Sequence, residues 1–186
     1  MDIDKVYEAL LYGNCKKIEK YIKEGLNVNI ITEGDNWNML HFSLEGTGSE
    51  PDLKLIKYLI KIGVDVNARE VNLWTPLHFA ARRKSTDAMK LLIDAGAEVD
   101  AVNDEGLTPL QLTISVKPFN LKATEFLLLS GADPYHKAGS GKKTIMDGVK
   151  IISHGKDVGL LELFQKIIKE KKIKPKKVGK PKKKKK

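Results

Sequence analysis

Thr75-Pro76-Leu77-His78-Phe79-Ala80-Ala81, followed 21 residues after Thr75 by Gly96-Ala97, decides how this chain is read. Thr75 is suited to cap a helix by accepting a backbone N–H. Pro76 suits the first helical position, where its missing donor has no partner. Ala80 and Ala81 are small enough to let neighbouring helices approach closely. Beyond a short break, Ala88, Leu91, Leu92 and Ala95 recur at helical spacing, which predicts one buried stripe on a second helix. Gly96 stands where that helix must end in a left-handed turn. Glu98-Val99-Asp100 is then expected to run as a short extended stretch into a loop.

The pattern recurs along the chain. Asn38-Met39-Leu40-His41 lies 37 residues earlier, Thr108-Pro109-Leu110-Gln111 lies 33 later, and Thr144-Ile145-Met146-Asp147 follows 36 residues after that. A second marker moves in step: Gly25-Leu26-Asn27-Val28-Asn29, Gly63-Val64-Asp65-Val66-Asn67, Gly96-Ala97-Glu98-Val99-Asp100 and Gly131-Ala132-Asp133-Pro134, at spacings of 38, 33 and 35. Two markers drifting together near a 33-residue period predict a repeated helix-turn-helix-plus-loop unit.

At these residues the chain resembles the ankyrin repeat family, and the resemblance covers 4–164. It implies an all-α, ankyrin-repeat solenoid of about five helix-turn-helix units with finger loops: a cap at 4–29, then 38–67, 75–100 and 108–134, and a closing cap at 144–168. These make a repeat domain of 1–173, followed by a Lys-rich tail, 174–186, that is expected to be disordered. The first unit lacks the motif and is rich in Lys and Glu, as befits a cap with one face in water. The second carries four extra residues around Glu45-Gly46-Thr47-Gly48-Ser49-Glu50-Pro51-Asp52, and the fourth carries two near Lys117-Pro118-Phe119-Asn120. Family members place Gly in the turn between the helices, as at Gly13 and Gly155 here. Lys84 takes that place in the third unit, at a cost of roughly 1 kcal/mol for a left-handed side-chain residue. Gln111 and Asp147 replace the motif histidine.

Hydrophobic content of 41% and charged content of 31% are ordinary for a globular protein. The net charge of +9 is not. Residues 169–186 hold 12 lysines and one acid, leaving 21 bases and 23 acids for all the rest. The body is therefore slightly acidic, which excludes a basic nucleic-acid-binding surface on the folded part. The tail has three open readings: a nuclear localisation signal on Lys176-Lys177 and 182–186, an electrostatic tether to nucleic acid or an anionic membrane, or a solubilising extension. No apolar run approaches the length of a membrane span, and Met1-Asp2-Ile3-Asp4-Lys5 lacks the apolar core of a secretory signal. With Cys15 as the single cysteine, a reducing cytoplasmic setting is expected, or a nuclear one if the tail is a localisation signal.

No constellation for catalysis emerges. His41 and His78 occupy the motif position where the family uses the imidazole to tie neighbouring repeats together. His136 and His154 have no Cys or carboxylate at ligand spacing. Gly139-Ser140-Gly141-Lys142-Lys143-Thr144 has the look of a phosphate-binding loop, but no Gly lies five before Gly141 and Lys143 stands where Ser or Thr is needed. Cys15 has no indicated base. No metal, cofactor or small-molecule substrate is expected. The predicted function is a monomeric, non-enzymatic protein-binding module, of inhibitor, immunity or effector type. The alternative is a nuclear or nucleic-acid-associated ankyrin protein directed by its tail.

The family binds partners in a concave groove. Its variable positions fall here on Arg69, Val71, Asn72 and Trp74, on Val102, Asp104, Glu105 and Leu107, and on Glu45, Arg82 and Ser115 of the first helices. Trp37 and Trp74 each immediately precede a repeat start. Either they project from adjacent fingers as interface anchors, or each packs on its own finger.

Overall fold

The computed structural model describes residues 3–45, 50–115, 117–137, 141, 143–153 and 158–175. Residues 46–49 of the first insertion, Gly139, Ser140, Lys142, His154, Gly155 and 176–186 of the tail therefore lie outside the described residues. The described part is all-α. Its helices run in pairs: α1 (Ile3–Leu11) with α2 (Cys15–Lys23), α3 (Met39–Glu45) with α4 (Leu53–Lys61), α5 (Pro76–Arg82) with α6 (Thr86–Asp94), α7 (Pro109–Thr113) with α8 (Leu121–Leu129), and α9 (Ile145–Ile152) with α10 (Val158–Glu170). Among the described residues the only β feature is one isolated bridge, Lys137 to Thr144.

Helix α1 packs on α3, α3 on α5 and α5 on α7, so the first helices form one layer. Helices α4, α6, α8 and α10 form the second. One apolar core runs between them without a break, with Ile18, Leu59, Leu92, Leu127 and Phe164 fully buried in successive pairs. Each such side chain contributes about 1.5–3 kcal/mol by leaving water.

The stripe on α6 differs from the one expected. Ala88, Met89 and Leu92 are buried, Leu91 is half-buried, and Ala95 is the exposed C-cap. With Ser85 they follow i, i+3, i+4 and i+7, and the half-buried Leu91 and Ile93 widen that face on either side, toward the neighbouring helices. The left-handed ends are as expected: Gly25, Gly63, Gly96 and Gly131 all take φ between 90° and 101°. Lys84 does adopt φ +55°, matching Gly13 at +59° in the first pair.

The stretch after each of these glycines is a turn rather than an extended segment. Asn27, Asp65 and Asp133 each accept, through Oδ1, the N–H two residues on. The residue closing the turn then faces the next unit: Asn29, Asn67 and Asp100 accept N–H bonds from Asp65, Glu98 and Asp133 at 2.8–2.9 Å. Side-chain oxygens satisfy the loop amides locally, so no ladder is needed.

Candidate functional site

The motif histidines explain how the fingers are held. The Nδ1 of His78 accepts the Thr75 N–H at 3.1 Å, so the ring proton resides on Nε2 and donates to the Leu107 carbonyl of the next finger at 3.1 Å. His41 repeats the arrangement with the Asn38 N–H at 3.2 Å and the Trp74 carbonyl at 3.1 Å. Burial lowers both pKa values to about 4, against the pull of the carbonyls they bond. They are neutral struts between repeats, and each fixes the residue that precedes the next helix start.

Trp74 is one of those fixed residues, and the candidate site forms around it. On α5, Phe79 and Arg82 stand three residues apart and so share a face. Phe79 is only 4% exposed and receives the ring of Trp37 at 5.3 Å and that of Trp74 at 5.7 Å, both edge to face. His41 completes the cluster from behind at 5.2 Å. The Arg82 guanidinium lies 5.1 Å from the Trp74 ring and 5.0 Å from Phe79, and pairs with Glu45 at the end of α3. The tryptophans therefore meet on α5 rather than each on its own finger. They pack on Phe79, and they line an open cleft of about 390 Å³.

The wall of this cleft comes from the fingers. Glu70 is buried, and its Oε1 accepts the N–H groups of Asn72 at 2.8 Å and Trp74 at 3.0 Å. Its Oε2 accepts from the Asn72 side chain at 3.3 Å. Asp104 and Glu105 close the far side from the next finger. Backbone bonds join the fingers to one another: Val71 N–H to the Asp35 carbonyl at 3.1 Å and Asp104 N–H to the Asn72 carbonyl at 3.0 Å. The lining holds four carboxylates, Glu45, Glu70, Asp104 and Glu105, against the single guanidinium of Arg82.

Of the expected site residues, Trp37, Glu45, Asn72, Trp74, Arg82, Asp104 and Glu105 are thus brought together. The others sit outside the cleft. Arg69 is an inter-finger brace, bonding the Val102 carbonyl at 2.9 Å and Glu98 at 3.3 Å. Val71 is exposed at a finger. Leu107 is half-buried and gives its carbonyl to His78, and the Ser115 hydroxyl donates to the Gln111 carbonyl at 2.7 Å. Phe79 and Glu70 were not read from the sequence as site residues. Phe79 had a signal, its i, i+3 relation to Arg82. Glu70 had none, because only the folded finger brings two N–H groups onto one carboxylate.

The described residues that line the cleft include no Ser, Thr, Cys, Lys or His. Cys15 lies in the first helix pair, and burial together with the nearby Asp52 charge pushes its thiol pKa up, away from the nucleophilic thiolate. Among the described residues no three of His, Cys, Asp and Glu are placed to hold a metal, and no helix is long and apolar enough to cross a membrane.

Stacked helix pairs, joined by hydrogen-bonded fingers that frame an open aromatic cleft, define a repeat solenoid. The family model for ankyrin repeats in three copies matches residues 6–103 and 48–138. The chain belongs to the ankyrin repeat family, whose repeats are protein–protein interaction modules. It is 31% identical over 124 residues to the putative ankyrin repeat protein FPV244 of Fowlpox virus, a match covering 62% of this chain and 18% of that protein. It is 28% identical over 149 residues to the putative ankyrin repeat protein L371 of Acanthamoeba polyphaga mimivirus, covering 80% and 19%. With protein phosphatase 1 regulatory subunit 27 of Mus musculus it shares 41% identity over 61 residues, covering 33% and 40%. The matches thus span less than half the length of each of these relatives.

Proposed function

We propose that this chain is a non-enzymatic adaptor or inhibitor that grips one protein partner across the fingers and first helices of its second to fourth helix pairs. The observation that supports this most is the cleft itself, where two tryptophans, a phenylalanine and an arginine converge in a partly exposed cluster. Tryptophan and arginine are the residue types that dominate binding energy at interfaces. The surface is also pre-organised, so few side chains would have to be ordered on binding. A relative whose name is that of a regulatory subunit is consistent with action through binding.

Affinity capture from cells compares the full chain with a Trp37→Ala, Trp74→Ala, Arg82→Ala variant, its helicity checked by circular dichroism. Loss of the captured partner by about 30-fold or more is expected, the effect of removing hot-spot side chains. Equal recovery with the folded triple variant would refute the cleft as the contact surface. The excess charge of 169–186 supports a second reading, nuclear or nucleic-acid association through the tail. A chain lacking 174–186, run in the same capture, loses nucleic acid if that reading holds and keeps it otherwise.

A further inference from the structure

We infer that the cleft between Trp37 and Trp74 recognises a basic side chain of the partner, arginine in preference to lysine, presented on an extended segment. This rests on the binding role proposed above and gives it a chemistry.

Three observations converge on a cation. The floor is aromatic, and ring faces attract positive charge through their quadrupole, most strongly for tryptophan. The chain's own Arg82 shows that a guanidinium is accommodated there, within about 5 Å of both the Trp74 and Phe79 rings. The rim is acidic beyond what Arg82 offsets. Arg82 pairs with Glu45, and the buried Glu70 is bonded within its own finger, which leaves the exposed Asp104 and Glu105 with no second base in the lining to offset them. An acidic partner group would meet like charge from Asp104 and Glu105, with only Arg82, already paired with Glu45, to offset it. An apolar one would strip water from carboxylates without replacing it. A cation meets both the aromatic floor and the carboxylate rim favourably.

Arginine is preferred to lysine on shape. Its planar guanidinium stacks on an aromatic face while keeping in-plane N–H groups for carboxylates, whereas the ammonium of lysine is compact and strongly hydrated. Fingers held to one another by backbone hydrogen bonds suit an extended segment laid across them.

The chain supplies its own probe, because Trp37 and Trp74 are its two tryptophans and both line the cleft. Tryptophan emission of the full chain is titrated with tetra-arginine, tetra-lysine and tetra-glutamine peptides at fixed ionic strength. Tetra-arginine should give a saturable change, tetra-lysine a weaker one, and tetra-glutamine none. The exposed double change Asp104→Asn, Glu105→Gln keeps shape and removes two rim charges, and should weaken tetra-arginine binding about tenfold. Emission that ignores tetra-arginine, responds equally to tetra-glutamine, or responds to tetra-arginine unchanged in the double variant overturns the inference. Failure here is separable from failure of the binding role. A captured partner that is lost on Trp74→Ala but retained in full on Asp104→Asn, Glu105→Gln leaves the contact surface standing and removes only the cation.

Discussion

Acidification to pH 5 should destabilise this protein steeply, and two residues should account for the effect. His41 and His78 are fully buried, and in each the Nδ1 lone pair faces a backbone N–H while Nε2–H is committed to the next finger. A second proton would go to Nδ1, against the N–H of Asn38 or Thr75, and would place a charge in the core. The folded pKa of each falls from 6.5 to about 4, chiefly through burial. The direction follows from which state takes the proton. Well above pH 6.5 both rings are neutral whether folded or not, and the full stability is present. Between 6.5 and 4 the unfolded chain binds protons that the folded one refuses, so stability is lost as pH falls, and the loss levels off below about 4. For each histidine the loss at pH 5 is about 2 kcal/mol, so the pair together lose about 4 kcal/mol. That is a large part of the stability of an ordinary domain. Urea melts at pH 7.5, 6.5, 5.5 and 5.0 at constant ionic strength, followed by far-ultraviolet circular dichroism, measure it above the range where most carboxylates titrate. The control is His41→Gln, His78→Gln. Gln111 already stands at the motif position of the fourth pair, where its Oε1 accepts the Thr108 N–H at 3.0 Å. The double variant starts less stable, but its pH slope between 7.5 and 5 should nearly vanish. A flat profile in the parent chain, or an equal slope in the double variant, would refute the reasoning.

Two further outcomes follow from the fingers and turns. Lys84→Gly should stabilise by about 0.5 kcal/mol in urea melts, because relief of the left-handed conformation outweighs the exposed hydrogen bond from Lys84 Nζ to the Pro118 carbonyl and the added backbone freedom of the unfolded chain; a loss of stability would show that bond to be the stronger effect. Glu70→Ala should cost roughly 2 kcal/mol, since it strands two finger N–H groups, while Glu70→Gln keeps an acceptor and should cost less than about 1 kcal/mol. Equal losses in the two Glu70 variants would mean that charge, not the acceptor, is what the finger needs.

The scaffold was legible because its determinants are local. The Thr-Pro start and the glycine after the second helix each act within a few residues, and the motif histidine recurs at a fixed place beside them. The α6 stripe was misread at Leu91 and Ala95 and missed Met89: the spacing of Leu91 and Ala95 is helical, but which helical face is buried depends on the neighbours on either side. The cleft was legible in half. Trp37, Trp74 and Arg82 flank the motif and stand out as large residues next to fixed points. Phe79 was hidden inside the motif, where only Thr75, Pro76, His78, Ala80 and Ala81 were given roles. Arg69 and Leu107 sit at variable positions, yet their bonds reach 33 and 29 residues along the chain, to Val102 and His78. No local pattern reveals contacts of that range.

The same residues that build the stack also aim the cleft. His41 bonds the Trp74 carbonyl and packs its ring on Phe79, so the strut that ties the second pair to the third also sets the aromatic floor. Glu70 holds Trp74 from the other side through its N–H, and the Asn72 carbonyl, one residue pair away, holds the finger that carries Asp104 and Glu105. Trp74 is therefore fixed through its N–H and its carbonyl before any partner arrives, and a partner has little of it left to order. Scaffold and site are then coupled. Glu70→Ala should loosen Trp74 as well as the finger, weakening partner binding although Glu70 offers the partner almost no exposed surface. A binding loss in that variant that tracks its loss of stability, absent in Glu70→Gln, would be the signature of a surface whose affinity comes from being built in advance.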